Sequence, residues 1–243
     1  MTAKKIISLL LVALLIATMI APCASALDTE MRDLDIVVVI DTSGSMRYSD
    51  PNRISSAALK MLTNMMPAEN SNIGIVTFNT EATVLTRDGG NKPALISLSE
   101  IDNVRYVKNR ADSIIFTGDT GIGNALKTAA DLLAGSSASD HKKAIILFTD
   151  GMDDLPTREQ LVTCLENEES AISWCDNNSC PIYCVGFDYI TANGISSMGQ
   201  SGEGIKKLNS YSEETGGYTK ATSDINEIEQ LFIDMLANIC SLY

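Results

Sequence analysis

The chain has 243 residues and a formal net charge of −13, a length that suits one α/β domain with a substantial buried core. Its acidic balance argues against binding to nucleic acids or anionic membranes, whose phosphates would repel it, and favours attraction of divalent cations. Beyond residue 26, no apolar run reaches the roughly 20 residues that a membrane-spanning helix needs.

The first 26 residues are predicted to be an export signal. Lys4 and Lys5 form a basic start, an apolar stretch covers 6–20, and Ala24-Ser25-Ala26 fits the small-residue rule for signal peptidase. A retained membrane anchor is the alternative, but a run of about fifteen apolar residues is short for a bilayer. We therefore expect a mature domain at 27–243 that is secreted or displayed on the cell surface, with no membrane span after cleavage.

Strands and helices alternate along the rest of the chain. Apolar, β-branched runs predict buried strands at 35–40, 144–149 and 182–187. Two β-rich runs around a short polar turn predict a hairpin at 72–79 and 82–86, and a short strand is predicted at 217–221. Apolar residues at helical spacing predict helices at 54–66, 99–114, 121–134, 157–174, 202–214 and 224–239. This alternation predicts a Rossmann-like, doubly wound α/β fold, in which helices cover both faces of a mostly parallel six-stranded sheet with one antiparallel edge strand.

Polar residues follow the strand at 35–40 directly, in the segment Asp41-Thr42-Ser43-Gly44-Ser45-Met46. Asp150 likewise closes the strand at 144–149, and Thr120 lies in the loop before the helix at 121–134. Because doubly wound sheets bind ligands at the carboxyl ends of their strands, one crevice can collect all three segments. Each segment alone is also consistent with a helix cap or a turn. The three together, in this order, predict a metal site at Asp41, Ser43, Ser45, Thr120 and Asp150.

Oxygen-only donors suit a hard cation such as Mg²⁺, which prefers octahedral oxygen ligands and keeps several waters. Gly44 allows a tight backbone path between Ser43 and Ser45, and the Ser45 hydroxyl is placed to cap the following helix as well. Asp41 and Asp150 are expected to act mainly through water or serine hydroxyls. The cation would then keep residual positive charge and an open position for a partner's carboxylate.

The chain resembles the von Willebrand factor type A (VWA) family over roughly 34–239. The matching segments are 36–46, 72–78, 118–126, 144–151, 182–186 and 214–217. The resemblance implies a Rossmann-like fold with a metal-ion-dependent adhesion site (MIDAS), and it assigns the metal role to the same five residues. It also implies Mg²⁺, with Mn²⁺ or Ca²⁺ as alternatives, and recognition of a protein that supplies an Asp or Glu carboxylate.

These features bear on three possible functions. An exported, metal-dependent adhesion module fits the site and the predicted signal. The alternative is a VWA subunit of an ATP-driven chelatase- or insertase-like assembly, against which the signal argues because such motors work in the cytosol. An enzyme is not expected, since the sequence has no phosphate-binding loop, nucleophile elbow or histidine triad, and the lone His141 has no evident partner.

Five cysteines follow the predicted signal, at Cys164, Cys175, Cys180, Cys184 and Cys240. In an exported protein they predict disulfides, and the odd number leaves one thiol free or paired with another chain. A local Cys175–Cys180 bridge is plausible, whereas the spacing disfavours zinc. Asp153 and Asp154 are expected to form a solvated acidic loop, with tuning of the cation affinity or repulsion of wrong partners as the alternative. Trp174 is expected to be a packing residue.

Overall fold

Seven strands form one twisted sheet in the computed structural model, which describes residues 33–87, 94–138, 140–188, 196, 198–199 and 202–241. The predicted signal at 1–26 lies outside the described residues. The strands are β1 (Leu34–Asp41), β2 (Asn72–Phe78), β3 (Ala82–Val84), β4 (Ile96–Ser97), β5 (Lys142–Thr149), β6 (Ile182–Gly186) and β7 (Thr219–Ala221).

The strand order is β3-β2-β1-β5-β6-β7, with β4 paired to β2. The pairs β1–β2, β1–β5, β5–β6 and β6–β7 are parallel, whereas β3 and β4 run antiparallel to β2. Strand β2 lies on one side of β1 and β5 on the other, so the strand order switches between β1 and β5. A crevice at the carboxyl ends of these two strands is where this fold class binds ligands.

Helices cover both faces of the sheet. They are α1 (Met46–Ser49), α2 (Ile54–Met65), α3 (Ile101–Asp112), α4 (Ile122–Ala134), α5 (Arg158–Asn177), α6 (Glu203–Thr215) and α7 (Ile225–Ser241). Among the described residues, no helix combines the length and apolar character required to cross a bilayer.

The central strand β1 is buried along its whole length because both of its faces are covered. Its alternating side chains divide the core into two halves. Val38 packs with residues of α2, α3 and α7 on one face, and Val39 packs with residues of α4, α5 and α6 on the other. Trp174 packs against the second half, as predicted. The continuous apolar run that predicted β1 is therefore explained by two-sided burial.

The doubly wound, mostly parallel sheet and the antiparallel β3 at its edge confirm the predicted fold class. The sheet has one more strand than the predicted six, because Ile96 and Ser97 form a two-residue strand paired with Ile73 and Asn72. Helix α3 accordingly begins at Ile101 rather than at 99. Asn103 in this helix donates a hydrogen bond to the Ser97 carbonyl at 2.8 Å, which fixes the helix start against β4.

Candidate metal site at the carboxyl ends of the strands

Asp41 ends β1 with a side chain that is 0% exposed. One of its carboxylate oxygens, Oδ1, accepts the Ser43 amide at 2.7 Å. The other, Oδ2, accepts the hydroxyl of Thr149, the last residue of β5, at 2.6 Å. One oxygen is thus held by the loop that follows β1, and the other by the last residue of β5.

A chain of hydroxyls connects the loop after β1 to Asp150. The Ser43 and Ser45 hydroxyl oxygens lie 3.0 Å apart, and the Ser45 hydroxyl donates to Asp150 Oδ1 at 3.1 Å. The Ser49 hydroxyl, one turn further along α1, donates to Asp150 Oδ2 at 2.7 Å. Ser45 was also expected to cap the helix, but its side chain makes no capping hydrogen bond and is directed to Asp150 instead.

Thr120 is 5% exposed and reaches the same edge of the sheet through its backbone. Its amide and carbonyl pair with the carbonyl and amide of Asp154, each at 2.8 Å. Two residues before it, the Gly118 carbonyl accepts the Gly44 amide at 2.9 Å. Gly118 has φ +84°, where a side chain would be strained. Backbone bonds therefore join the Thr120 loop to the loops of Ser43 and Asp150.

Two arginines hold the segment that leads into the Thr120 loop. Arg47 Nε donates to the Phe116 carbonyl at 2.8 Å, and Arg53 donates to the Ile114 carbonyl at 2.5 Å. The Arg53 guanidinium also lies 5.3 Å from the centre of the Phe116 ring, within range of a cation–π contact. The loop after β1 and the loop before α4 therefore form one bonded unit.

The surroundings of Asp41 and Asp150 disfavour the charged forms of both carboxylates. Burial, and to a lesser extent the nearby Asp150 carboxylate, raise the pKa of Asp41 to about 7, against the hydrogen bonds from Thr149 and Ser43. Burial also raises the pKa of Asp150, opposed by the bonds from Ser49 and Ser45. A divalent cation close to both carboxylates would favour their charged forms.

The predicted residues fit a hard cation by chemistry. Among the residues the structure describes, no three side chains of His, Cys, Asp or Glu gather as a possible metal cluster. The five predicted residues instead offer two carboxylates and three hydroxyls, all oxygen donors of the kind that Mg²⁺ prefers.

Ser49 and Thr149 contribute to the site and were not predicted from the sequence. Ser49 lies four residues after Ser45, so helical spacing would have placed both hydroxyls on one face of α1. Thr149 directly precedes Asp150, but its bond to Asp41 depends on the pairing of β1 with β5. That pairing spans 108 positions of sequence and leaves no local signal.

Two sequence-based expectations about charged residues were wrong. Asp153 is not solvated, since its side chain is 3% exposed and is paired with Lys207; the neighbouring Asp154 is exposed as expected. His141 does have a partner, because its Nδ1 lies 2.8 Å from Oδ1 of the buried Asp35. Asn72 at 2.7 Å and Ser136 at 2.5 Å also donate to Asp35, at the amino end of β1 and away from the candidate site.

Cys164, Cys175, Cys180 and Cys184 are buried free thiols in the structure. The Cys240 side chain lies outside the part of the chain whose side chains are described. Disulfide pairing therefore stays a prediction.

Residues 36–152 match the family described as von Willebrand factor type A domain. The human inter-alpha-trypsin inhibitor heavy chain H4 is 29% identical over 160 residues, which cover 64% of this chain and 16% of that protein. A UPF0353 protein of Mycobacterium leprae (strain TN) is 30% identical over 133 residues, covering 50% of this chain and 36% of the relative. This chain therefore matches only a minor part of each relative's length.

Among solved structures, the von Willebrand factor type A protein from Catenulispora acidiphila has a similar fold. The TM-score is 0.64 at 22% identity, and the similarity covers 86% of this chain and 43% of the other. The family match lies over β1 to the Asp150 loop, the part of the sheet that carries the candidate site. Over residues 36–152, the chain is therefore similar to the von Willebrand factor type A domain family.

Proposed function

We propose that this domain binds a divalent cation, Mg²⁺ in the first instance, and uses it to hold an Asp or Glu carboxylate of a partner protein. Mn²⁺ and Ca²⁺ are the alternative ions. The hydroxyls of Ser43, Ser45 and Thr120 would be the direct protein ligands, while Asp41 and Asp150 would act through water or through the serine hydroxyls. VWA domains generally serve as protein-interaction modules, and the proposal gives that general role a chemical basis in this chain.

The single observation that supports this proposal most is the hydroxyl chain from Ser43 through Ser45 to Asp150. It gathers oxygen donors from two separated loops beside a second buried carboxylate, Asp41. A bound cation would supply positive charge at an open coordination position. The protein would orient the hydroxyls and hold both carboxylates behind water or the serine hydroxyls. The ion would then keep part of its positive charge and attract a carboxylate of the partner.

Exposed apolar side chains on the same segments would form the rest of the partner contact. Tyr48 is 77% exposed in α1, and Ile115 is 72% exposed in the segment that Arg47 and Arg53 hold. Apolar and aromatic side chains around a polar anchor are typical of protein-binding surfaces.

We further propose, from the signal predicted at 1–26, that the domain acts outside the cytoplasm.

The proposal is tested by replacing Asp41 with Ala. The variant should fold but lose the rise in melting temperature that Mg²⁺ gives the parent, because a ligand that binds only the folded state stabilises it by mass action. Asp131→Ala is the matched control, since this exposed α4 carboxylate forms a salt bridge at 2.5 Å with Lys127 of the same helix. Equal stabilisation of parent and Asp41→Ala by Mg²⁺ would contradict the proposal.

Metal-dependent binding of a partner protein is tested by a separate experiment. A partner captured on the immobilised parent in Mg²⁺ should be released by EDTA and should not bind Asp41→Ala. A partner that binds equally in EDTA would rule out a metal bridge. ATP-dependent co-purification with a cytosolic ATPase, with residues 1–26 retained, would instead favour the chelatase- or insertase-like alternative.

A further inference from the structure

A buried ion network lies beside the candidate site and connects it to helix α6. Lys207 of α6 is paired with Asp153, and its Nζ lies 2.9 Å from Glu168 Oε2 of α5. Burial lowers the pKa of Lys207, but the two carboxylates outweigh this effect and the net shift is upward. The lysine is therefore charged, and it is only 16% exposed.

Asp153 uses its other oxygen, Oδ1, to hold the start of α4. This atom accepts the Ile122 amide at 2.6 Å and the Cys164 thiol at 3.3 Å. Ile122 follows Thr120 by two residues, and the first turn of α4 has no capping bond from the side chain of its own N-cap residue. Asp153 thus serves as the cap, which a carboxylate at a helix N-terminus does well.

The same short loop touches two of the predicted metal ligands. It begins at Asp150, and its Asp154 forms the backbone pair with Thr120. At Gly151, which has φ +120°, an added Cβ would lie 3.0 Å from Gly204 Cα, so this loop is closely packed on the first turn of α6. Lys207 is anchored one turn further along α6 and holds the loop at its centre.

We propose that Lys207, through its ion pair with Asp153, is a positioning residue that sets the divalent-cation affinity of the site. It would do so by fixing the loop that carries Asp150 and aligns Thr120. The inference rests on the proposed function, because it assigns a control element to that same metal site.

Lys207→Met distinguishes two explanations, because they predict opposite changes in the affinity for Mg²⁺. Removing a positive charge near the site should tighten cation binding if only long-range electrostatics matter. Loss of positioning should weaken it, on the order of tenfold by analogy with residues that orient metal ligands. We expect calorimetry to show weaker Mg²⁺ binding in Lys207→Met and near-parental binding in Lys207→Arg. Unchanged or tighter binding in Lys207→Met would overturn the proposal.

Glu168→Gln is the matched control, because it removes a carboxylate from the same lysine without touching the loop. We expect its Mg²⁺ affinity to stay within about twofold of the parent, well inside the tenfold effect expected for an orienting residue. If Lys207→Met does not fold, Asp153→Asn replaces it, and equal losses for Asp153→Asn and Glu168→Gln would refute the positioning role.

A measurement without metal separates this inference from the proposed function. In EDTA, the Thr120 and Asp154 amides should exchange hydrogen faster in Lys207→Met than in the parent, and not in Glu168→Gln. Absence of Mg²⁺ binding by the parent would overturn the proposed function. Unaltered exchange at both amides would overturn the coupling even if the parent binds Mg²⁺.

Discussion

The raised pKa of Asp41 makes the stability of the metal-free protein depend on pH. Its folded-state pKa is raised from 3.8 to about 7, first by burial and then by Asp150. The folded protein therefore binds this proton more tightly than the unfolded chain does. The stabilisation from this group is complete below the unfolded pKa and is lost as the pH rises through the folded one, at about 1.4 kcal/mol for each unit of the shift.

A pH prediction follows for the metal-free protein. In EDTA, the free energy of unfolding of the parent should fall between pH 5 and 8, and the fall should be shallower in Asp41→Asn, whose amide does not titrate. Urea unfolding at both pH values measures this difference. Identical pH slopes for the two proteins would show that Asp41 does not carry the raised pKa.

At the scale of single elements, helix α2 is held at its start by a residue that precedes it by four positions. The Asp50 carboxylate accepts the Ile54 amide at 2.5 Å, the Ser55 amide at 3.0 Å and the Ser55 hydroxyl at 2.6 Å. These donors would otherwise be unpaired at the buried end of the helix. Asp50 thereby fixes where α2 begins after the loop and short helix that carry Ser43, Ser45 and Ser49.

Asp50→Ala should destabilise the protein by about 2 kcal/mol, the upper part of the range for loss of a helix cap. Asp112→Ala is the control, because this carboxylate at the end of α3 is largely exposed and forms a salt bridge with Lys60 of α2. Its loss should change stability by less than about 1 kcal/mol. Chemical denaturation measures both, and a cost for Asp50→Ala no larger than that for Asp112→Ala would contradict the capping role.

The turn between α5 and β6 brings two thiols together. The Cys180 amide donates to the Cys175 carbonyl at 2.9 Å, and both side chains are buried. Oxidation by a small disulfide such as oxidised glutathione should join them, with each thiol losing one proton and the oxidant taking up two electrons. Peptide mapping after alkylation in denaturant should find this bridge in the parent and not in Cys175→Ser. Full alkylation of both cysteines in the oxidised parent would contradict it.

The features that could be predicted from the sequence are those with a local signal. Strand β1 has such a signal because its burial on both faces requires a continuous apolar run. The candidate site residues have one because each follows a strand or precedes a helix, and their role as metal ligands stays a prediction. Strand β4 is only two residues long, too short for a periodic pattern. The burial of Asp153 depends on Lys207, and that of Asp35 on His141, so only the folded topology reveals these contacts.

At the scale of the whole molecule, the polar groups are divided between the two ends of the sheet. The Asp35 cluster satisfies a buried carboxylate with neutral donors and His141 at the amino end of β1. At the carboxyl end, Asp41 and Asp150 lie close enough to raise the pKa of Asp41. A cation at the carboxyl end would favour the charged forms of these two carboxylates, and the net charge of −13 favours the approach of such an ion.

Diffraction from crystals grown in Mn²⁺ would show whether the candidate site holds a cation, because the anomalous signal locates the ion independently of the protein atoms. We expect one strong peak bounded by Ser43, Ser45 and Thr120, at roughly 2.0–2.3 Å from the hydroxyl ligands, as is typical of a small hard cation. Asp41 and Asp150 should lie behind these hydroxyls or bridging waters. An ordered site without a peak in ample Mn²⁺, or a peak held by other residues, would contradict the proposed metal site.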